Sequence, residues 1–200
     1  MNTTESTSTA RQDRTSKVFL IRGIIAIAWA VAFATVAGSL TTGVSVGAGV
    51  LLVLYPLIDV FGSLLDARSE HGAERRVLLT NAVTSTVAAV ALGVAATAGV
   101  AEVLATFGVW AVVSGAAQLT VALRRRAQFG LQLPMVLAGG VSVLLGFVFL
   151  LSATTANPML GMVVIYAATG GADFVIESWL LRRRMRRQAA PARPVLQVAA

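Results

Sequence analysis

The run from Phe107 to Arg126, FGVWAVVSGAAQLTVALRRR, does most to limit what this chain can fold into. Its span of about twenty residues matches the length an α-helix needs to cross a hydrocarbon core of roughly 30 Å. Ser114-Gly115-Ala116-Ala117 thin its middle, where small side chains admit a neighbouring backbone, and Arg124-Arg125-Arg126 close it. Comparable apolar runs lie before and after it. Hydrophobic residues make up 56% of the chain and charged ones 12%. A globule of 200 residues cannot bury so many long apolar runs, so a bilayer must solvate them.

The pattern predicts an all-α integral membrane protein with six transmembrane helices over about 18–40, 43–65, 77–97, 102–123, 133–151 and 159–181. Residues 1–16 and 188–200 read as disordered tails, and 17–187 as the membrane domain, because the ends lack an apolar period. Arg11, Arg14, Lys17 and Arg22 stand before or early in the first span, and the other twelve basic residues follow the second, fourth and sixth. None falls in the turns near Thr41, Gly99 or Thr155. The positive-inside rule therefore puts both termini in the cytoplasm and three tight turns outside.

This arrangement is a repeat: helix, tight turn, helix, basic end. It predicts three tandem helical hairpins. Aligning the odd helices at Gly23, Ala82 and Gly140 brings small residues into register, with Ala88 and Gly146 six positions on and Trp29 breaking the match. The even helices share an aromatic (Tyr55, Trp110, Tyr166) and a polar residue before the basic end (Asp59, Gln118, Asp173). Gly43, Gly47, Gly115, Gly140 and Gly146 are candidate helix-packing positions. With Phe107–Arg126, the segment Leu137–Gly146 and the repeat plan over about 17–187, the chain resembles the HdeD-like family of bacterial acid-resistance membrane proteins. That resemblance implies a bacterial cytoplasmic (inner) membrane location and a non-enzymatic role in acid or envelope stress tolerance. It supplies no catalytic residues. The first hairpin departs furthest, with Val60 where the fourth helix has Gly115.

Asp59, Gln118, Asp173 and Glu177 form the candidate intramembrane polar site. An ionisable group inside a membrane helix is costly and usually faces the bundle interior or a cavity. Asp173 and Glu177 are four apart and share a helix face. Two readings stay open: a proton-accepting or cation-attracting site, as in a small channel or transporter, and a structural role through interhelical hydrogen bonds or pairing with rim arginines. A continuous polar path past the carboxylates would favour the first, and sealed packing the second.

The formal net charge of +7 does not point to nucleic acid, since the basic residues sit between apolar segments. Arg124, Arg125, Arg126, Arg182, Arg183 and Arg184 read as topology signals and as binders of anionic lipid headgroups. A homo-oligomer or a membrane-protein partner is compatible with the chain. The only histidine, His71, is in a polar loop and no cysteine is present, so no metal site and no cofactor are expected. Gly170-Gly171-Ala172-Asp173 lacks the spacing of the intramembrane aspartyl proteases' Gly-x-Gly-Asp, and HExxH is missing. No enzyme is expected.

Overall fold

The computed structural model describes residues 3–37, 43–68, 71–129 and 133–189. They form six helices and no strand: α1 (Thr3–Ala37), α2 (Val46–Ala67), α3 (Gly72–Ala98), α4 (Val100–Phe129), α5 (Leu133–Ala153) and α6 (Gly161–Ala189). Each contains a segment long and apolar enough to cross a membrane. The chain is a multi-pass membrane protein by length and composition of its helices. The turn around Thr41, the tail beyond Ala189 and the side chains of Arg124, Arg125 and Arg126 lie outside the described residues.

Most helices outrun the apolar segments that define them. α1 begins at Thr3, where the sequence predicts a disordered tail. Ser16 is buried and its carbonyl accepts a hydrogen bond from Ser178 Oγ at 2.7 Å. Lys17 and Asp13 pair at 2.7 Å one turn apart, and once this turn is fixed, extending a helix costs little. α3 starts at Gly72 instead of Val77, with Glu74 in the first turn where the helix dipole favours an acid. Gly99 alone separates α3 from α4, and its φ of 157° is one that side chains rarely adopt.

The packing does not confirm the tandem-hairpin reading: of the three expected hairpins only α3–α4 makes more than sparse contact. Close backbone approach occurs between α4 and α5, between α1 and α6, and between α2 and α3, whereas α1–α2 and α5–α6 touch sparsely. The physical reason is side-chain size. Rings stand between the loosely packed neighbours, with Trp29 against Tyr55 and Phe149 against Tyr166 at centroid separations of 4.6 and 5.9 Å. The tight pairs instead meet through small residues. A methyl group added at Gly115 would lie 2.7 Å from Gly139 O, and one at Gly146 would lie 2.8 Å from Gly108 O. Across α1 and α6, Gly171 meets Gly23 O at 3.0 Å by the same measure.

These contacts follow a seven-residue spacing. Ser16, Gly23, Ala30 and Ala37 are buried on α1, Ala82 and Ala89 on α3, and Gly108, Gly115 and Ala122 on α4. Gly139 and Gly146 continue the pattern on α5 and Gly171 and Ser178 on α6. The alignment of odd helices at Gly140 with a six-residue step is therefore off by one. Gly139 holds the contact, the step is seven, and Trp29 no longer interrupts it. Of the five glycines expected to pack helices, Gly43 and Gly140 have nothing within 4 Å of an added methyl group, and Gly47 has only Val36 Cγ1 at 4.0 Å.

The bundle has two unlike halves. Toward the ends away from the termini, Phe33, Leu52, Leu92, Val103, Leu104, Phe107, Phe149, Leu160 and Val163 are almost fully buried and form a dry core. Toward the termini the helix pairs part around a polar cavity.

Candidate functional site: a polar vestibule between the helix pairs

The cavity has a volume of about 170 Å³ and takes its walls from five of the six helices. α2 contributes Tyr55, Asp59 and Gly62, α4 contributes Trp110, Ser114 and Gln118, and α1 contributes Arg22. Ser142 and Leu145 come from α5, and Tyr166, Thr169, Asp173 and Glu177 from α6. All four residues expected in an intramembrane polar site, Asp59, Gln118, Asp173 and Glu177, line it together.

Its floor is aromatic. Tyr55, Trp110 and Tyr166, the aromatics shared by the even helices, stand 5.9 to 6.3 Å apart at steep angles. Phe107 holds them from beneath, edge-on to Trp110 at 5.3 Å and to Tyr166 at 5.2 Å. Edge-to-face contacts of this kind add a modest increment to the burial of large rings. None of the dry-core side chains named above lines the cavity. Among the described residues the polar lining ends at the aromatic floor, so the carboxylates border a cavity closed on that side.

The carboxylates divide by their partners. Asp59 Oδ2 accepts hydrogen bonds from Asn81 Nδ2 and Ser85 Oγ, both at 2.7 Å. Asn81 Nδ2 also donates to Ser63 Oγ at 2.9 Å, and Trp110 Nε1 donates to Ser85 Oγ at 3.2 Å. This network ties α2, α3 and α4 together through Asp59 Oδ2. No described residue donates to Asp59 Oδ1, and no buried polar side-chain atom lacks a partner, so this oxygen is the one left open to the cavity. Asp173, Glu177 and Gln118 make no hydrogen bond or ion pair with any described residue. Pairing with rim arginines, the structural alternative for Asp173 and Glu177, is not seen among these residues. Arg22 goes elsewhere, with Nη2 2.9 Å from Asp66 Oδ2, its guanidinium lying across the space that Gly62 leaves.

Tyr55 is the site residue that sequence reasoning noted only as a repeat marker. It sits deep within the bundle yet keeps accessible surface, which at that depth can only be cavity wall. Its hydroxyl has no hydrogen-bond partner among the described residues. Tyr166 differs, sharing a 2.7 Å hydrogen bond with Ser142, whose Oγ also lies 3.0 Å from Ala111 O. The described residues hold no cluster of three or more His, Asp or Glu side chains able to bind a metal ion.

No family model matches the chain, and no curated protein or solved structure does either. The class therefore rests on the six apolar helices alone.

Proposed function

We propose that this multi-pass membrane protein is non-enzymatic and receives a cation, protons included, in the vestibule, in support of acid or envelope stress tolerance. The carrying observation is the convergence of Asp59, Asp173 and Glu177 on one cavity, with Asp173 and Glu177 unpaired among the described residues. Among the described residues three carboxylates line the cavity against one arginine, the already paired Arg22, which makes it acidic, and low-dielectric walls strengthen its attraction for positive charge. Stress tolerance and a bacterial cytoplasmic membrane rest on the resemblance to HdeD-like proteins. The positive-inside rule then opens the vestibule toward the cytoplasm. Arg182, Arg183 and Arg184 flank it at the headgroup level, where they suit anionic lipids. Arg183 also lies 5.1 Å from the ring centroid of Trp179, an interfacial pairing of cation and indole.

The channel reading gains less support, because the dry core closes the half of the bundle beyond the aromatic floor. The test is acid survival of cells carrying the parent or the Asp173→Asn/Glu177→Gln variant at equal membrane abundance. Neither side chain has a partner to lose, so the variant should fold. Lost survival supports the reading; unchanged survival removes the vestibule from the stress role.

A further inference from the structure

The chemistry of the walls narrows the kind of cation, given the cation-receiving role just proposed, on which this step rests. A dehydrated metal ion needs several oxygen ligands at roughly 2.0–2.6 Å. The acidic side chains do not cluster in that way. The cavity is also too large for a lone ion: 170 Å³ corresponds to on the order of ten water positions. A proton alone would leave the aromatic floor without a use.

That floor is the second, independent feature. Tyr55, Trp110 and Tyr166 pack edge to face against one another, and each also borders the cavity, so together they give it an aromatic wall. Aromatic rings at a cavity wall attract cations through their quadrupole, with Trp the strongest, and suit ammonium groups carrying alkyl substituents. The Tyr55 hydroxyl, without a partner and open only to the cavity, adds an acceptor for an N–H. Ile58 and Leu145 supply apolar wall between the rings and the acids. A guest that satisfies this lining must combine a positive charge with a compact carbon body.

We propose that the vestibule is a binding site for a small organic ammonium ion, its charge facing Asp173 and Glu177 and its carbon body set against Tyr55, Trp110 and Tyr166. Asp59 Oδ1 adds negative potential from the side while Oδ2 stays committed to Asn81 and Ser85. A guest bound here changes the surroundings of Trp110, which makes indole fluorescence a direct readout.

The experiment titrates the purified full-length protein in lipid nanodiscs with tetramethylammonium and butylammonium chloride, with sodium chloride at constant ionic strength, and separately with acid. A saturable fluorescence change with one or both ammonium salts, absent with sodium, is the expected result. Tyr55→Leu, which removes one ring and its hydroxyl from the wall against the carbon body, should weaken the binding about tenfold. The Asp173→Asn/Glu177→Gln variant should weaken it at least as much. A saturable response to sodium or to acid, with none to either ammonium ion, overturns the organic-cation assignment and leaves the cation vestibule standing. No response to any of the three overturns both. The wild-type titration decides these outcomes by itself, whether or not a variant folds.

Discussion

Gly115 and Gly139 face each other so closely that a methyl group on either would meet the other's carbonyl oxygen, at 2.7 and 2.9 Å. Backbone atoms cannot be pushed aside as a flexible side-chain tip can. Gly115→Leu should therefore destabilise the bundle by roughly 1–3 kcal/mol through overpacking between α4 and α5. Gly140→Ala, one residue from the contact, has nothing within 4 Å to meet and should stay within about 0.5 kcal/mol of the parent. Thermal aggregation of the two variants in detergent checks the contrast. Equal midpoints would remove the proposed contact.

Arg22 reaches Asp66 by crossing α2 where Gly62 leaves room. A methyl group at position 62 would lie 2.5 Å from Arg22 Nη2, and the guanidinium, as the mobile end of a long side chain, can swing away. Gly62→Ala should fold normally while breaking the pair. Both partners are partly exposed, at 22% and 38%, so losing the pair should cost under about 1 kcal/mol. The structural check is nitrogen chemical shifts of the arginine side chains, comparing Gly62→Ala with Asp66→Asn. Matching Arg22 signals in the two variants are expected; an unshifted signal in Gly62→Ala would show that the arginine never crosses there.

The helices and the members of the polar site were legible because each rests on a local signal. Apolar length gives the spans, and intramembrane acids on helices rarely face lipid, so Asp59, Asp173 and Glu177 could be singled out one at a time. What periodicity did not reveal was partnership. A repeat of helix, turn, helix shows which elements are alike, but which faces meet is decided by where small and large residues fall around each helix. The seven-residue step through Gly23 and Ala30, or Gly139 and Gly146, carries that information, and reading it as six moved the contact to Gly140. Tyr55 was missed as a cavity residue for a related reason. An aromatic in a membrane helix fits packing or anchoring equally well, and its unpartnered hydroxyl appears only when neighbours are in place.

Sidedness rests on charge. All sixteen basic residues lie outside the turns near Thr41, Gly99 and Thr155. A reporter fused after Arg187, or inserted near Gly72 or Ala127, should therefore read as cytoplasmic, and one near Thr41, Gly99 or Thr155 as external. Because Gly99 alone joins α3 to α4, the Gly99 insertion needs a flexible linker on both sides. An external signal near Gly72 would reverse the orientation and turn the vestibule away from the cytoplasm.

The hydrogen bonds around Asp59 form one unit, and their coupling is measurable. Asp59→Asn keeps an acceptor oxygen for Asn81 and Ser85, so it should cost little. Asp59→Ala removes the acceptor while both donors stay inside the bundle, and leaving buried donors unmatched should cost about 1–3 kcal/mol. Ser85→Ala removes one donor to Asp59 and also the acceptor 3.2 Å from Trp110 Nε1. If the network acts as a unit, the Asp59→Ala/Ser85→Ala double variant loses less than the sum of the singles, by about 0.5–3 kcal/mol. The midpoints of thermal aggregation for the parent, two singles and double variant give that difference. Additive losses would mean that Asp59 and Ser85 stabilise the bundle separately, and that the aromatic floor does not depend on the carboxylate through Trp110.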